Sequence, residues 1–189
     1  MVLRAYARGL FPMAESRSGP IAWYSPDPRA VIPLQGFHIS RSLRRKIRKG
    51  VFDIRVDTAF GQVIRTCAER EETWISDAVI RAYTALHQRG HAHSVEAWRE
   101  GRLVGGLYGI SIRAAFFGES MFSLESDASK VTLAALVGHL RRRGFVLLDT
   151  QFMNEHVRQF GAIEIPRSEY LNILASAIRA DVCFGEALP

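Results

Sequence analysis

Thiols are scarce in this chain, which has only two cysteines, Cys67 and Cys183, among 189 residues. Two isolated thiols provide neither a disulfide framework nor a thiolate zinc site, so both are expected to be reduced and mostly buried. His91 and His93 lie two residues apart, with no third ligand at a metal-binding spacing. A structural or hydrogen-bonding role is therefore favoured for these histidines, and no bound metal is predicted.

Long apolar segments are also missing. No run approaches the roughly 20 residues that span a bilayer, and the first residues lack the basic start and apolar stretch of a secretory signal. A cytoplasmic location is therefore predicted. With 48% hydrophobic and 23% charged residues, the composition indicates a packed core, in one domain of ordinary size or one domain with a small N-terminal addition.

The usual nucleotide-binding and nucleophile motifs are absent as well. Ser120 and Ser123 have no surrounding Gly-x-Ser-x-Gly elbow and no base partner that the sequence identifies. One glycine-rich segment lies inside a strand pattern, so it is neither a Walker loop nor a dinucleotide fingerprint. It indicates close approach of a neighbour or ligand to the backbone. This segment is Gly105-Gly106-Leu107-Tyr108-Gly109.

Positive charge is abundant and concentrated. The net charge of +6 equals the charge of one cluster that contains no acid, so the rest of the chain balances to zero. Ile39, Leu43 and Ile47 recur there at helical spacing, which predicts a short amphipathic helix ending at Gly50. Such a basic face indicates a polyanionic partner, either nucleic acid or an anionic surface. The cluster consists of Arg41, Arg44, Arg45, Lys46, Arg48 and Lys49.

The order of the remaining patterns predicts an α/β fold. Prolines and glycines break residues 1–36 into turns and short segments, which favours a small N-terminal lobe before a main domain of residues 37–189. The main domain is predicted to be a mixed sheet flanked by helices. After the basic helix, the expected order is strand 52–56, a helix capped by Asp57 to about 68, helix 76–90, strands 92–98, 103–112 and 114–122, a helix capped by Ser126 or Asp127 to 143, strand 145–152, and helices 154–160 and 168–178.

Two strand patterns carry polar residues that could be functional. Asp149 and Gln151 end an apolar strand and point the same way, because alternate strand residues share a face; a solvated strand end is the alternative. Glu119 lies within another hydrophobic strand, and burying a lone carboxylate is costly. It is therefore either placed for use or held in a structural salt bridge with an arginine.

The strand containing Glu119 raises a geometric conflict. Regular alternation places Phe117, Glu119 and Met121 on one face, with Phe116 and Phe122 on the other. Glu119 and Phe116 can then line the same pocket only if the strand bulges near Gly118.

Aromatic residues in loop-like segments suggest two alternatives. Trp23, Tyr24 and Trp74 lie among polar or turn-forming residues. They could stack on a nucleic-acid base, an effect of about 1–3 kcal/mol. Equally, they could pack the N-terminal lobe against the core.

Taken together, several motifs in this order resemble the leucyl/phenylalanyl-tRNA–protein transferase family along nearly the whole chain. They are Gly9-Leu10-Phe11-Pro12-Met13, Trp23-Tyr24-Ser25-Pro26-Asp27-Pro28-Arg29, His38-Ile39-Ser40-Arg41-Ser42-Leu43, Thr73-Trp74-Ile75, Gly90-His91-Ala92-His93-Ser94-Val95-Glu96, Leu103-Val104-Gly105-Gly106-Leu107-Tyr108-Gly109, Phe116-Phe117-Gly118-Glu119-Ser120-Met121-Phe122-Ser123, Ala128-Ser129-Lys130 and Asp149-Thr150-Gln151. The chain differs from the family pattern in three ways. Tyr24 replaces a second tryptophan, the acidic loop before Thr73 is shorter by about a residue, and the chain begins close to the first motif, where relatives carry a longer leader.

This resemblance implies an N-acetyltransferase-like fold and an enzyme that needs neither metal nor ATP. It would move Leu or Phe, and less readily Met, from aminoacyl-tRNA to the N-terminal Arg or Lys of a protein, which creates a degradation signal. A monomer is expected.

The same resemblance suggests roles for individual residues. Asp149 would orient the attacking amine and stabilise its developing charge, Gln151 would orient it, and Glu119 would recognise the cationic acceptor terminus. The side-chain pocket is expected to involve Leu107, Phe116 and Met121. Trp23 and Trp74 would stack on the 3′-terminal adenine, and the basic cluster would bind tRNA phosphates.

Two other functions are compatible with parts of this pattern. An acyl-CoA-dependent N-acetyltransferase would need a pyrophosphate-binding turn that opens a helix, whereas Arg141-Arg142-Arg143-Gly144 closes one. A non-catalytic RNA-binding module would use the basic helix and the aromatic residues, but it leaves Glu119, Asp149 and Gln151 without a role.

Overall fold

The computed structural model describes residues 2–71 and 73–185, and its central feature is a seven-stranded mixed sheet. The elements are α1 (Val2–Tyr6), β1 (Phe11–Met13), β2 (Ala22–Tyr24), β3 (Arg29–Val31), α2 (Arg41–Arg48), β4 (Asp53–Val56), α3 (Phe60–Ala68), α4 (Asp77–Gln88), β5 (Ala92–Arg99), β6 (Arg102–Ile112), β7 (Ala115–Ser123), α5 (Ala128–Arg143), β8 (Leu147–Gln151), α6 (Glu155–Arg158), β9 (Ile163–Ile165) and α7 (Arg167–Ala177). The predicted α/β (α+β) class, with a mixed sheet flanked by helices, is confirmed.

The order of strands across the large sheet is β4-β5-β6-β7-β8-β3-β9. Strands β7 and β8 are parallel, and the other neighbouring strands are antiparallel. The three consecutive strands predicted in the middle of the chain therefore form an antiparallel meander, β5-β6-β7. Strands β1 and β2 form a separate antiparallel pair.

The position of β3 can be compared with the domain boundary predicted at residue 36. Strand β3 precedes that boundary in the sequence, yet it lies in the large sheet between β8 and β9. A boundary at residue 36 would separate this strand from its sheet. The division into 1–36 and 37–189 stays a prediction, and its outer ends at residues 1 and 186–189 lie outside the described part of the chain.

Local capping residues explain where several helices begin and end. Ser40 accepts a hydrogen bond from the backbone N–H of Leu43 at the start of α2, and Ser76 does the same for Val79 at the start of α4. Gly144 ends α5 in the left-handed conformation, at φ 82°, where glycine has no Cβ penalty. The predictions of a helix after Ser76 and of a helix ending at Gly144 are confirmed.

One predicted cap is wrong, and another is confirmed in position only. Ala59, not Asp57, is the N-cap of α3, because Asp57 accepts instead from His93 Nδ1 and from the backbone N–H of Ser94. Asp127 is the N-cap of α5 by position, but its side chain makes no capping hydrogen bond. Its carboxylate instead pairs with Lys46 and Lys130.

Helices cover both faces of the large sheet. One hydrophobic core contains Phe60, Val63 and Ile64 of α3, together with side chains of α1, α4 and α7. The second core, on the opposite face, contains Leu133, Leu136 and Leu140 of α5, together with side chains of α2 and α6. Neighbouring residues of one strand therefore enter different cores.

The glycine-rich segment of β6 allows the close approach that its pattern predicts. A Cβ atom at Gly105 would lie 2.5 Å from Cβ of Ala128 in α5, and one at Gly109 would overlap the carbonyl oxygen of Phe117 and the ring of Phe116. Within residues 2–71 and 73–185, none of the helices combines the length and the apolar character needed to cross a membrane.

Candidate active site

Strand β7 contains a β-bulge at Glu119. Gly118 pairs with Gly109 and Ser120 pairs with Tyr108, so Glu119 has no partner across β6. An extra residue in one strand reverses the alternation beyond it. Glu119 and Phe116 could line the same pocket only if the strand bulged near Gly118, and such a bulge is present.

The bulge also corrects the predicted faces of β7. Phe116 belongs to the core on the α5 side, and Met121 packs against the same core. Phe117 and Phe122 both lie in the core on the α3 side. Regular alternation had placed Met121 with Phe117, and Phe122 with Phe116, and both assignments are wrong because of the inserted residue.

The bulged carboxyl group of Glu119 is held by two tyrosines from different helices. The Tyr6 hydroxyl donates to Oε1 over 2.7 Å, and the Tyr83 hydroxyl lies 3.1 Å from Oε2. The two hydroxyls are themselves 2.5 Å apart. Glu119 forms no ion pair with an arginine within the described ranges, so the predicted structural salt bridge is wrong.

Burial changes the acidity of Glu119. Loss of hydration in this site raises the pKa of its carboxyl group from 4.5 to about 7, because the charged form is less well solvated than the neutral form. The two tyrosine hydrogen bonds and Arg29 act in the opposite direction, and Asp149 adds to the increase.

Asp149 forms a fully buried ion pair with Arg29, whose side chain is also fully buried. The Arg29 guanidinium donates to both carboxylate oxygens, over 2.9 Å to Oδ1 and 2.6 Å to Oδ2. Oδ2 also accepts from the Tyr170 hydroxyl at 2.8 Å, and Oδ1 accepts from the backbone N–H of Gln151 at 2.8 Å. The alternative of a solvated strand end is therefore wrong for Asp149.

Gln151 connects the two acids. Its backbone adopts the left-handed conformation at φ 67°, which a non-glycine residue rarely adopts without support. The Asp149 carboxylate supplies that support through the Gln151 N–H. The side-chain Nε2 then donates to Glu119 Oε1 over 3.0 Å. The left-handed backbone at Gln151 and the irregular pairing of β8 with β3 depart from the regular alternation on which a shared face for Asp149 and Gln151 was predicted.

A cavity of about 490 Å³ opens beside this polar group. Its polar lining includes Glu119, Thr150, Asn154, His156 and Arg70. Its apolar wall includes Leu107, Met121, Leu133, Leu136, Leu148 and Val157. The volume lies within the usual range of about 300–1,000 Å³ for small-ligand sites. An apolar cavity bordered by an acid can receive an aliphatic or aromatic side chain next to a polar reacting group.

The predicted substrate-contacting residues lie in four different settings. Leu107 and Met121 line the cavity, whereas Phe116 is fully buried in the core and does not border it. Trp74 is half-buried against the core on the α3 side. Trp23 is exposed in β2. The acidic loop before Thr73 includes position 72, which lies outside the described residues.

The basic cluster forms α2 and its C-cap. Five of its six cations are exposed: Arg41, Arg44, Arg45, Arg48 and Lys49. Lys46 is half-buried, and its Nζ binds Asp127 Oδ2 at 2.7 Å and the Ser126 carbonyl at 3.0 Å. This hydrogen bond lowers the pKa of Asp127, and it attaches α2 to the start of α5.

Sequence reasoning missed Tyr6, Tyr83, Arg29 and Tyr170 as members of the site. Each contacts a site acid that is distant in the sequence: Tyr6 and Glu119 are 113 residues apart, and Arg29 and Asp149 are 120 apart. The helical period places Tyr83 on an apolar face, but it gives no sign of a polar partner. The one usable signal for Arg29 was its place in a motif of the resemblance.

Two family descriptions match consecutive parts of the chain. The leucyl/phenylalanyl-tRNA protein transferase family matches residues 31–175, and the N-terminal domain of the same transferase matches residues 1–27. A structure of a functionally unknown conserved protein from Staphylococcus epidermidis ATCC 12228 has a TM-score of 0.39 at 14% identity, covering 68% of this chain and 65% of that chain.

Two curated relatives are similar along almost their entire length. The leucyl/phenylalanyl-tRNA–protein transferase of Rubrobacter xylanophilus is 54% identical over 186 residues, covering 98% of this chain and 97% of the relative. The protein of the same name from Herpetosiphon aurantiacus is 54% identical over 185 residues, covering 97% and 96%. The chain belongs to the leucyl/phenylalanyl-tRNA protein transferase family.

Proposed function

We propose that this protein transfers Leu or Phe, and less readily Met, from aminoacyl-tRNA to the N-terminal Arg or Lys of acceptor proteins. The observation that carries the proposal is the contact between Gln151 and Glu119 at the edge of an apolar cavity. In this arrangement, a group that would recognise the amine lies beside a cavity that would receive the apolar side chain. The product would be a new N-terminal degradation signal, and the enzyme would act as a cytoplasmic monomer.

The reaction itself needs little chemical assistance. An aminoacyl ester is already activated, and a free α-amine has a pKa of about 7.7–8.0, so a substantial fraction is neutral near physiological pH. The amine nitrogen attacks the ester carbonyl, the bond to the tRNA 3′ oxygen breaks, and that oxygen receives the proton that the amine loses. Holding the amine and the ester together then supplies much of the acceleration.

Gln151 is suited to orienting the amine. Its amide nitrogen donates to Glu119, which leaves the side-chain carbonyl oxygen to accept a hydrogen bond from the amine. An amide is a poor base, so we assign Gln151 no proton-transfer role. Glu119, which lines the cavity and accepts this hydrogen bond from Gln151, would attract the positive charge of the acceptor terminus.

The surroundings of Asp149 alter the role that the resemblance suggests for it. Four donors already fill the acceptor positions of its carboxylate, and the side chain is fully buried. We therefore assign Asp149 to positioning Gln151 rather than to contacting the amine. Arg29 and Tyr170 would hold Asp149 in turn.

The donor substrate would use the cavity and the basic surface. The side chain of Leu or Phe would enter between Leu107, Met121 and the leucines of α5, with Phe116 supporting this wall from the core. An apolar pocket distinguishes side chains by only about 1–3 kcal/mol per methylene, so some transfer of Met is expected. Trp23 and Trp74 would stack on the terminal adenine, and α2 would bind tRNA phosphates without reading sequence.

The decisive experiment mixes the protein with radiolabelled Leu-tRNA and a peptide that begins with Arg. Label should enter the peptide without added ATP, metal or acetyl-CoA, and the same peptide with an acetylated N-terminus should stay unlabelled. Acetylation of the peptide from acetyl-CoA would favour the N-acetyltransferase alternative. Binding of tRNA without any transfer would favour the RNA-binding module.

The acceptor role of Glu119 can be tested separately. Glu119→Gln should raise KM for the Arg peptide more than KM for Leu-tRNA, because only the peptide carries the recognised charge. Equal increases for both substrates would indicate that Glu119 is a structural acid.

A further inference from the structure

The contacts among Tyr6, Tyr83 and Glu119 form a closed ring of oxygen atoms. Tyr6 Oη lies 2.5 Å from Tyr83 Oη and 2.7 Å from Glu119 Oε1. Tyr83 Oη lies 3.1 Å from Glu119 Oε2. Each of the three contacts is short enough for a hydrogen bond between oxygens, or close to that limit.

The three contacts of this ring need more hydrogens than the two tyrosine hydroxyls can supply. Each tyrosine hydroxyl supplies one hydrogen, and an ionised carboxylate supplies none. Two oxygens 2.5 Å apart need a hydrogen between them, so one tyrosine donates to the other. Only one hydroxyl hydrogen then remains for the two contacts with Glu119.

A protonated Glu119 satisfies all three contacts. Oε2 donates to Tyr83, Tyr83 donates to Tyr6, and Tyr6 donates to Oε1. Oε1 also accepts from Gln151 Nε2 at 3.0 Å, so every polar atom of the carboxyl group has a partner. With Glu119 ionised, one of the contacts would bring two lone pairs together.

The surroundings of the carboxyl group agree with this count. Burial raises its pKa to about 7, and the pKa values of both tyrosines are raised well above 10.0 by burial, so the hydroxyls keep their hydrogens. One cation, Arg29, acts on Glu119, but it is already paired with Asp149. The titratable groups that face Glu119 are Tyr6, Tyr83, Tyr108, Arg29 and Asp149, with Arg70 and His156 lining the same cavity.

We propose that Glu119 is a neutral carboxylic acid in the substrate-free protein, with its proton closing the ring with Tyr6 and Tyr83, and that the cationic end of the acceptor displaces this proton. Tyr6 and Tyr83 are thus positioning residues for the acceptor site. The proposal rests on the function proposed above. It adds that binding of the acceptor is coupled to release of a proton.

The displacement balances without any further reactant. The acceptor binds as a cation, the Oε2–H bond breaks, and the proton leaves to solvent, so the site gains one positive charge from the substrate and loses one as H⁺. The Tyr83 hydroxyl then turns from Tyr6 to donate to Oε2. The contact between Tyr6 and Tyr83 loses its hydrogen in this step, so the two hydroxyl oxygens move apart from their separation of 2.5 Å. An empty site thereby avoids an unpaired charge on a half-buried carboxyl group, which is costly, and an occupied site presents the charge that the acceptor needs.

Infrared difference spectroscopy tests the first half of the proposal. Spectra of the substrate-free protein at about pH 5.5 and about pH 8.5 lie on either side of the proposed transition. A carboxylic-acid C=O band should be present at the lower pH and lost at the higher pH, with a midpoint near 7. The band should be absent from Glu119→Gln and shifted in Tyr83→Phe, which removes its hydrogen-bond acceptor. Tyr24→Phe is the matched control, and it should leave the band unchanged.

Isothermal titration calorimetry tests the second half. Arg-peptide binding is measured at about pH 6 in buffers of different ionisation enthalpy, because the dependence of the heat on the buffer counts the protons released. About one proton should be released by the wild-type protein and by Tyr24→Phe, and none by Glu119→Gln. A wild-type carboxyl group that is already ionised at pH 5.5, or binding without proton release, would overturn the proposal.

The transfer assay, run on the same preparation, distinguishes failure of the protonated ring from failure of the proposed function. Transfer of Leu without the carboxyl band would leave the enzymatic function standing and reject the protonated ring. The band without transfer would support the ring and reject the proposed function. The wild-type titration needs no variant, so a poorly folding Glu119→Gln would not prevent the test.

Discussion

Among individual residues, Arg29 and Asp149 determine the backbone conformation and the orientation of Gln151. Both side chains are fully buried, and removing the charge of one partner leaves the other unpaired, which typically costs about 3–5 kcal/mol. The same pair fixes the left-handed backbone of Gln151 through Oδ1 of Asp149. Stability and substrate orientation therefore depend on the same contact.

Replacing Asp149 with Asn should lower kcat by about 100-fold, because a displacement of about 1 Å in a positioning group can have an effect of that size. KM for Leu-tRNA should change little, since the tRNA surface is separate. Asp53→Asn is the matched control: Asp53 pairs with Arg55 at the surface, where ion pairs contribute about 0–1 kcal/mol. A nearly normal kcat in a folded Asp149→Asn would contradict the positioning role.

Glu119 should make the stability of the fold depend on pH. Its pKa in the folded protein is about 7, compared with 4.5 as the ordinary value, so the folded state binds the proton more tightly than the unfolded state. The stabilising contribution is complete below pH 4.5 and is lost as the pH rises to about 7. Denaturant titrations between these values should show the free energy of unfolding falling by roughly 1 kcal/mol per pH unit. Glu119→Gln should remove this decline.

Several residues of the site could be predicted from the sequence, but their partners could not. Glu119, Asp149 and Gln151 were identified as unusual polar residues in hydrophobic strands, and the structure brings them together. Tyr6 and Tyr83 come from helices 77 residues apart, and their phenol rings fit an apolar pattern as well as phenylalanine would. A hydrogen bond from a tyrosine hydroxyl inside the core does not change the spacing of apolar residues, so the sequence pattern does not reveal it.

At the level of secondary structure, the bulge in β7 explains the largest error in the sequence analysis. Most helices and strands of the main domain were predicted within a few residues, because their periodicity and caps are local features. The faces of β7 were not, because one extra residue reverses every position beyond it. The short strands β1, β2, β3 and β9 were also missed, since three residues are too few for a periodic pattern.

The two glycines that pair at the bulge should respond differently to an added methyl group. Gly109→Ala should destabilise the fold by about 1–3 kcal/mol, because its Cβ would overlap the Phe117 carbonyl and the Phe116 ring. Gly118→Ala is the control: its Cβ would meet only the Asp149 carbonyl at 3.5 Å, an ordinary contact. Urea denaturation of both variants compares the costs. Similar midpoints for the two would contradict the packing argument.

Helix α2 should control the salt dependence of tRNA binding. Replacing Arg41, Arg44 and Arg48 with Gln should weaken binding and reduce the slope of log K against log salt by about 0.7–0.9 for each phosphate contact removed. Lys46 is left in place, because it pairs with Asp127. Arg113→Gln, in the turn between β6 and β7, is the matched control and should keep the wild-type slope. An unchanged slope in the triple variant would exclude α2 from the tRNA site.

For the molecule as a whole, the segment after α7 closes one of the two cores. Residues after 180 carried no recognisable pattern in the sequence, yet Phe184 is almost fully buried. Its ring stacks on His93 at 4.0 Å between centroids, and its carbonyl contacts Nε2 of His139 in α5. A single aromatic residue in an irregular segment gives no period, which is why its burial could not be predicted.

Phe184→Ala should therefore destabilise the whole protein by about 3–5 kcal/mol, the usual cost of removing a buried aromatic side chain. Thermal unfolding measures the effect. Leu124→Ala provides the control, because Leu124 is 68% exposed and its loss should change stability by no more than about 0.5 kcal/mol. A Phe184→Ala protein as stable as this control would show that the end of the chain contributes nothing to the core.

The position of β3 has a consequence for synthesis of the protein. Strand β3 is made early, but it pairs with β8 and β9, which are made much later. Until residue 149 has left the ribosome, Arg29 lacks its counter-ion, and the sheet around the site lacks its neighbouring strands. Pairing over 120 residues is slow compared with local folding, and incomplete chains expose apolar surface. Products of stalled translation would thus remain unfolded and open to proteolysis, and only finished chains would acquire the site.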